Sequence, residues 1–350
     1  MNTVGPAVRV ENLSRSFGKV HVLKDVDFEL DRGKIYCIMG PSGCGKTTLL
    51  KSMIGAQPPS AGKVFIDGID IWNDKKSLGK ARRKFGVLFQ SGALLNGLTC
   101  YDNVALPLRQ HTNLDPETID IMVRMKLELV GMGHAADRRP PEISGGMQKR
   151  CALARAIALD PAIVFFDEPS AGIDPVMISI LDRLVLDLTE KLGITSVVIT
   201  HEIPSAFRIA DEILMMYQGK LHFRGKPEAV RHSRDPVVRQ FIHGDSEGPM
   251  SQASSRQAVA ARVLGMPEHE APIPAHISQR FTGRVQKSDE RFSQAHDAIF
   301  DLQDDTRAKR TMRLPQAPDP ARETEKSTAK AVPANSEKQS DNITRKINAR

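Results

Sequence analysis

Lys34 to Ile54 reads KIYCIMGPSGCGKTTLLKSMI, and this stretch decides how the rest of the chain is read. IYCIM is a short unbroken apolar run, as expected of a strand buried on both faces. TTLLKSMI carries helical apolar spacing. Between them GPSGCGKT fits G-x-x-x-x-G-K-[ST], a loop whose backbone N–H groups wrap a polyphosphate. Gly40, Gly43 and Gly45 allow that wrapping, and Pro41, Ser42, Cys44 and Thr48 complete the binding segment. Lys46 is expected to reach the β- and γ-phosphates, and Thr47 to bind magnesium through its hydroxyl. An ordinary glycine turn is the bland alternative; a strand before it and a helix after it weigh against that.

Similar apolar runs recur downstream, each ending in a residue with chemistry: GVLFQ in Gln90, AIVFFDE in Asp167 and Glu168, TSVVITH in His201. Ligands of open α/β sheets bind outside the carboxyl ends of the strands. Asp167 is suited there to hold magnesium through water, and Glu168 to orient or deprotonate an attacking water. Read singly, the acidic pair could be a solvated turn and the histidine structural. Beside one phosphate loop they make a convergent site.

VRVENL and VDFEL alternate apolar and polar residues, as half-buried strands do. With helical patterns at Thr47–Ile54 and Met177–Leu192, the whole predicts a layered α/β domain with a mainly parallel sheet. Residues 91–158 break the rhythm with the helical PETIDIMVRMKLELVGM and few strand candidates, which predicts an inserted helical subdomain. The globular unit is expected to end near Pro249. DPVVRQFIHGDSEGP sets Val237, Val238, Phe241 and Ile242 on one helical face, to be packed on the domain or a partner. Beyond it SSRQAVAARVLG and DERFSQAHDAIFDLQ could form short helices, with 286–303 the piece expected to fold on binding. As a whole the last hundred residues, sparsely apolar with Phe281, Phe292 and Phe300 as their aromatics, read as mostly disordered.

The formal charge is +7, of which the last hundred residues carry about +4. With no Lys/Arg run interleaved with aromatics, a solvated surface is the reading and nucleic-acid binding is not. Cys37, Cys44, Cys100 and Cys151 lack metal or redox spacing and read as free thiols. Cys44 is read as a small filler in the phosphate loop, although a bulky adduct there would collide with nucleotide, so maleimide is expected to inhibit. MNTVGPAVRV does not read as a signal peptide, and AIVFF is too short to span a bilayer. The chain is read as cytosolic, with any membrane role coming through a partner.

In this order GPSGCGKT, Gln90, ISGGM, Asp167–Glu168 and His201 resemble the nucleotide-binding subunits of ATP-binding cassette (ABC) transporters, from about Val8 to Pro249. The resemblance implies a P-loop NTPase cassette over 1–249, with N-terminal antiparallel strands and the helical subdomain, followed by a largely disordered extension, 250–350. It implies ATP and Mg2+ as cofactors, with Gln90 sensing magnesium and water, His201 contacting the γ-phosphate and Phe17 stacking on adenine. The lack of an N-K-x-D guanine motif also favours ATP. ISGGMQKR, Ile143–Arg150, has its glycines but no lysine directly after them. In this family the SGG loop, here Ser144, Gly145 and Gly146, meets the ATP held by the other subunit. Ser144 would cap a helix with Met147, Cys151, Ala154 and Ala158 on one face. One cassette per chain then implies a homodimer with two ATPs at its interface. Asp174, in the loop after the acidic pair, is assigned to the same site. The signature departs from L-S-G-G-Q at Ile143 and Met147, and AGID replaces S-A-L-D, which puts in doubt the contact a serine at 171 would make.

LFQSGALLNGLTCYDNVALPLR and RQFIHGDSEGP are similar to one branch, the ATPases of maintenance-of-lipid-asymmetry or toluene-tolerance systems. That resemblance implies phospholipid movement between bacterial membranes, an inner-membrane permease, a mammalian-cell-entry (MCE) domain protein, and a peripheral position on the cytoplasmic face. Ala93, Leu94, Leu95 and Leu98 are the candidates for docking the permease, or equally for filling the helical subdomain's core. One alternative is an amino-acid importer ATPase; methionine-type importers carry an added regulatory domain built with strands, and the tail's sequence shows no clear strand alternation. Another is a soluble ABC protein of DNA repair or translation. Repair types need a long coiled coil where only 98 positions separate Lys46 from Ser144, and translation types carry two cassettes.

Overall fold

The computed structural model describes residues 5–251. The expectations for the extension beyond Ser251, disorder and short helices alike, lie outside the described residues.

Among the described residues the strands form two sheets. In the antiparallel one, β1 (Val8–Phe17) runs between β2 (Val20–Leu30) and β4 (Ala61–Ile66), with β5 (Ile69–Asp70) at its edge. The second has six strands: β3 (Ile35–Met39), β6 (Phe85–Leu88), β7 (Ile163–Asp167), β8 (Thr195–Ile199), β9 (Glu212–Tyr217) and β10 (Lys220–Gly225). Their order is β10-β9-β3-β8-β7-β6, parallel from β9 to β6, with β10 returning antiparallel along the edge.

The reason for the apolar runs is visible in how each strand divides its side chains. Ile35, Cys37 and Met39 of β3 and Val164 and Phe166 of β7 enter one core; Tyr36, Ile38, Ile163 and Phe165 enter the other. The second core is closed by helix α1 (Lys46–Met53), through Leu49, Leu50 and Met53, and by the antiparallel sheet. At about 1.5–3 kcal/mol for each large buried side chain, Phe165 and Phe166 alone fix β7 from both sides. GVLFQ differs from the expectation. Its strand is the edge of the sheet, so Phe85 and Val87 are only partly buried.

After α2 (Lys75–Arg82) and β6, the described residues of 91–158 hold helices and no strand: α3 (Cys100–His111), α4 (Pro116–Leu129), α5 (Gly145–Ala156) and short 3-10 turns. Their apolar faces, through Val104, Leu108, Val123, Leu127 and Leu153, join the first core rather than forming one of their own. The remaining helices, α6 (Pro175–Leu192), α7 (Ile203–Ile209), α8 (Pro227–Arg231) and α9 (Pro236–His243), follow between and after the last strands. Asp235 caps α9, whose Val237, Val238 and Ile242 are buried in the first core with Phe241 partly so. Gln240 of α9 then holds the outgoing chain, donating to the Asp245 carbonyl at 3.1 Å and accepting from the Met250 amide at 2.7 Å.

Candidate functional site

The strand order brings the site together. β3, β8, β7 and β6 are consecutive parallel neighbours, and Ile38, Ile199, Asp167, Phe166 and Leu88 lie at matching levels of the ladder. The phosphate loop, His201, the acidic pair and Gln90 therefore leave the same edge of one sheet, side by side.

The loop from Gly40 to Thr48 is walled from beneath. A Cβ on Gly40 would stand 2.2 Å from the Met216 carbonyl, which admits glycine alone, and Gly40 also takes φ 147°. Gly45 opens α1 in the left-handed region, against Val22 and Leu23 of β2. Gly43 faces open space, and Ser42 and Thr47 are exposed while Pro41 and Thr48 are half-buried. Lys46 folds over the loop and donates to the carbonyls of Gly40 at 2.6 Å and Pro41 at 3.0 Å. Cys44 is buried against the second core with its Sγ 4.0 Å from the Lys46 amine; burial raises its pKa although Lys46 pulls it down. A thiol both buried and protonated is a poor maleimide target, so the filler reading stands and the inhibition expected from the sequence does not.

Asp167 ends β7 half-buried, and burial together with Glu168 holds its pKa above the usual carboxylate range, against the pull of Lys51 and Lys149. Such a carboxylate is poised to gain from a cation. Glu168 stands at φ 46°, a left-handed conformation costly for a residue with a Cβ, and its amide donates to the Ile199 carbonyl at 2.8 Å. That turn aims the carboxylate at His201, whose Nδ1 lies 2.7 Å from Oε2 and whose amide donates to the same oxygen at 3.3 Å. The histidine ring is largely exposed, and with Nδ1 donating to the carboxylate its Nε2 can donate to a second acceptor only in the imidazolium form. Gln90 lies beyond the strand it was expected to end, in an exposed turn two residues after Leu88. Phe17 ends β1 with its ring 43% exposed. The Arg15 guanidinium covers one face at 4.7 Å and leaves the other for a planar group.

Ser144 caps α5 and accepts from the Met147 amide at 3.3 Å. Ser144 and Gly145 are exposed, but Gly146 is buried under α6, where a Cβ would meet Met177 at 2.5 Å. Of the anticipated face, Cys151 and Ala154 are buried, Met147 is partly so, and Ala158 lies past the helix end. Asp174 is occupied within its own chain, capping α6 by accepting from the Val176 and Met177 amides at 3.0 Å each. Ala93 and Leu95 are exposed while Leu94 packs on the first core, so the docking candidates divide between the two readings. Sequence reading missed Lys149, which is buried, and Arg155, which is half-buried, two cations of α5 that bind backbone carbonyls of the Gln90 turn.

The ABC transporter family matches residues 23–171. The intermembrane phospholipid transport ATP-binding protein MlaF of Haemophilus influenzae is 42% identical over 244 residues, covering 69% of this chain and 92% of the relative. This chain belongs to the ATP-binding subunits of ABC transporters. It is an ABC ATPase, and its cofactor is ATP. The probable ribonucleotide transport ATP-binding protein mkl of Mycobacterium leprae is 41% identical over 254 residues, 72% of this chain and 73% of the relative. Among solved structures, a dimeric ATP-binding cassette in a post-hydrolysis state with ADP and Pi matches with a TM-score of 0.59 and 32% identity, covering 63% of this chain and 98% of that one. CbiO1 of Clostridium perfringens, part of an ABC transporter complex, matches with a TM-score of 0.62 and 28% identity, covering 67% and 94%. ABC cassettes dimerise and work within transporter complexes. No helix among the described residues is long and apolar enough to cross a membrane.

Proposed function

We propose that this ABC ATPase powers phospholipid transport between bacterial membranes, as a Mg2+-dependent homodimer on the cytoplasmic face of the inner membrane. Its partners are an inner-membrane permease and an MCE-domain protein of the same system. The observation that carries the lipid reading is the 42% identity along 92% of a relative named for intermembrane phospholipid transport. The branch-like stretches at 88–109 and 239–249 add to it.

In this reading residues 1–249 are the cassette, 91–158 its helical subdomain, and 250–350 an extension. Lys46 and the loop amides bind the ATP phosphates, and the open face of Phe17 takes the adenine. Thr47, Asp167 and Gln90 offer a hydroxyl, a carboxylate and an amide, a donor set with too little charge to hold Mg2+ without phosphate oxygens beside it. Mg2+ supplies charge neutralisation at the phosphates when bound. Glu168 accepts a proton from, or orients, the attacking water, held by His201, which as imidazolium donates from Nδ1 to Glu168 and from Nε2 to the γ-phosphate. Ser144 and Gly145 serve the ATP of the other subunit. The Gly146 amide assists from within the turn, and Asp174 sets the loop by capping α6. Leu95 is the residue offered to the permease.

A second reading, ribonucleotide transport, has the name of the mycobacterial relatives in its favour. Affinity purification from the native membrane separates the two. Permease, MCE-domain protein and bound phospholipid are expected to copurify, with ATPase activity that responds to lipid. A complex without those partners whose activity responds to ribonucleotide substrate instead would overturn the lipid assignment.

A further inference from the structure

The turn after β6 is held to α5 by that helix's own cations. Lys149 donates its amine to the Gln90 carbonyl. Arg155 donates to the carbonyls of Gly92 at 2.8 Å and Ala93 at 2.7 Å. The turn follows one ridge of the helix: a Cβ on Gly92 would lie 3.5 Å from Ala152 Cβ and 3.7 Å from the Gln148 carbonyl, and positions 148, 152 and 155 share a helical face. Next to it β6 meets the helix with no room between them, since a Cβ on Gly86 would stand 2.0 Å from the Ala156 carbonyl.

Long cationic side chains are seldom buried without a task, because burial costs them both hydration and rotamer freedom. Lys149 is 6% exposed. Burial lowers the pKa of both Lys149 and Arg155, and the charge that favours the Lys149 ammonium is that of Asp167. The turn is itself constrained: Gly92 takes φ 72° and Ala93 φ 49°, the latter unfavourable for a residue with a Cβ and kept where the surroundings impose it. The cations thus bind backbone that would otherwise relax, and they bind it to the helix that Ser144 caps.

We propose that Lys149 and Arg155 are positioning residues that clamp the Gln90 turn to the helix beginning at Ser144, so that Gln90 and the Ser144–Gly145 loop move as one body. The proposal rests on the reading of Gln90 and Ser144 as groups that meet nucleotide. A second cassette closing on the serine loop then sets Gln90 in the same step. Displacement of Gln90 is carried to α5 and, through Ala93, to the exposed Leu95.

Lys149→Met and Arg155→Lys in the full-length chain test this. Amide hydrogen exchange over 89–95 reads the clamp, and turnover with a Mg2+ titration reads its use. In Lys149→Met we expect exchange at 90–93 to rise about tenfold and kcat to fall about tenfold, since small misplacements of a reacting constellation cost that much or more. Half-saturating Mg2+ should rise while ATP affinity stays native, because the phosphate loop is untouched. Arg155→Lys keeps one donor and should show the same changes in smaller degree, and it carries the test alone if Lys149→Met does not fold. Unchanged exchange overturns the clamp whatever turnover does. Faster exchange with native kcat and native Mg2+ dependence overturns the positioning role. Gln90→Ala, measured beside them, tests the reading beneath: native turnover there removes Gln90 from the site and the clamp's catalytic meaning with it. Impaired Gln90→Ala beside a fully active Lys149→Met overturns the clamp alone.

Discussion

A glycine-bearing turn opens a helix at Gly45 and again at Ser144, and the two openings are built differently. At Gly45 no side chain caps α1, and the loop is walled by Met216, Val22 and Leu23, with its own lysine folded over it. At Ser144 a serine cap already uses one helix amide, Gly145 faces open space, and no residue of the first turn carries a positive charge. Both ends present amides and the positive pole of a helix dipole. The first is a complete cradle that brings its own cation. The second is half a cradle, able to add to a phosphate that is already held. That difference supports the proposed assignment of the first to the chain's own ATP and of the second to a partner's.

The largest effect should come from the strand row beside the complete cradle. Glu168→Gln is expected to lower turnover by about 10²–10⁴-fold, the range of a lost general base, while ATP binding persists. Equilibrium binding and steady-state hydrolysis on one preparation check it, and native turnover would remove Glu168 from its role. Next, the two cradles should fail in different ways. Lys46→Ala should weaken ATP binding to the isolated cassette by roughly tenfold or more, given about 1.5–3 kcal/mol for a charge-assisted hydrogen bond. Ser144→Arg should leave that affinity native and stop turnover. Equal losses of affinity in the isolated chain would erase the distinction.

Truncation sharpens the boundary of the unit that carries both cradles. Removing 235–350 takes away Val237, Val238 and Ile242, about 1.5–3 kcal/mol each if fully buried, and should lower the melting temperature by several degrees or prevent assembly. Removing 252–350 leaves the Gln240 anchor whole and should keep hydrolysis and dimerisation. Loss of assembly in the shorter deletion would make the last hundred residues integral. The smallest effect belongs to Cys44: with its thiol in the core, maleimide should leave ATPase activity unchanged under native conditions. Inhibition that ATP prevents and Cys44→Ser abolishes would mean that the loop opens.

Much of this site was legible because its strands are buried on both faces, and such strands announce themselves as apolar runs with their chemistry at the ends. IYCIM, AIVFF and TSVVI each gave strand, burial and the residue beyond. GVLFQ was harder, for an edge strand is exposed on its outer residues and stops sooner. Helix α3 was not picked out separately, and it holds inside it Pro107, a residue type that ordinarily breaks helices. The positive φ of Glu168 and Ala93 leaves no trace in composition, because the surroundings impose it. Asp174 and Gly146 show the opposite limit. Motif resemblance assigned both to the nucleotide site, but it carried no sign that the carboxylate caps α6 or that the glycine packs beneath Met177.

The division of labour between the cradles is tested most directly by mixing two defective chains. A Ser144→Arg subunit keeps a complete phosphate loop, and a Lys46→Ala subunit keeps a complete serine loop. Together they restore one composite site, whereas either variant alone has none. Engineered crosslinks across the dimer, formed with and without ATP, report closure. The account predicts ATP-dependent crosslinking in the mixture and not in either variant by itself. A mixture that closes no better than its components, or a Ser144→Arg effect confined to nucleotide bound by the altered chain itself, would contradict it.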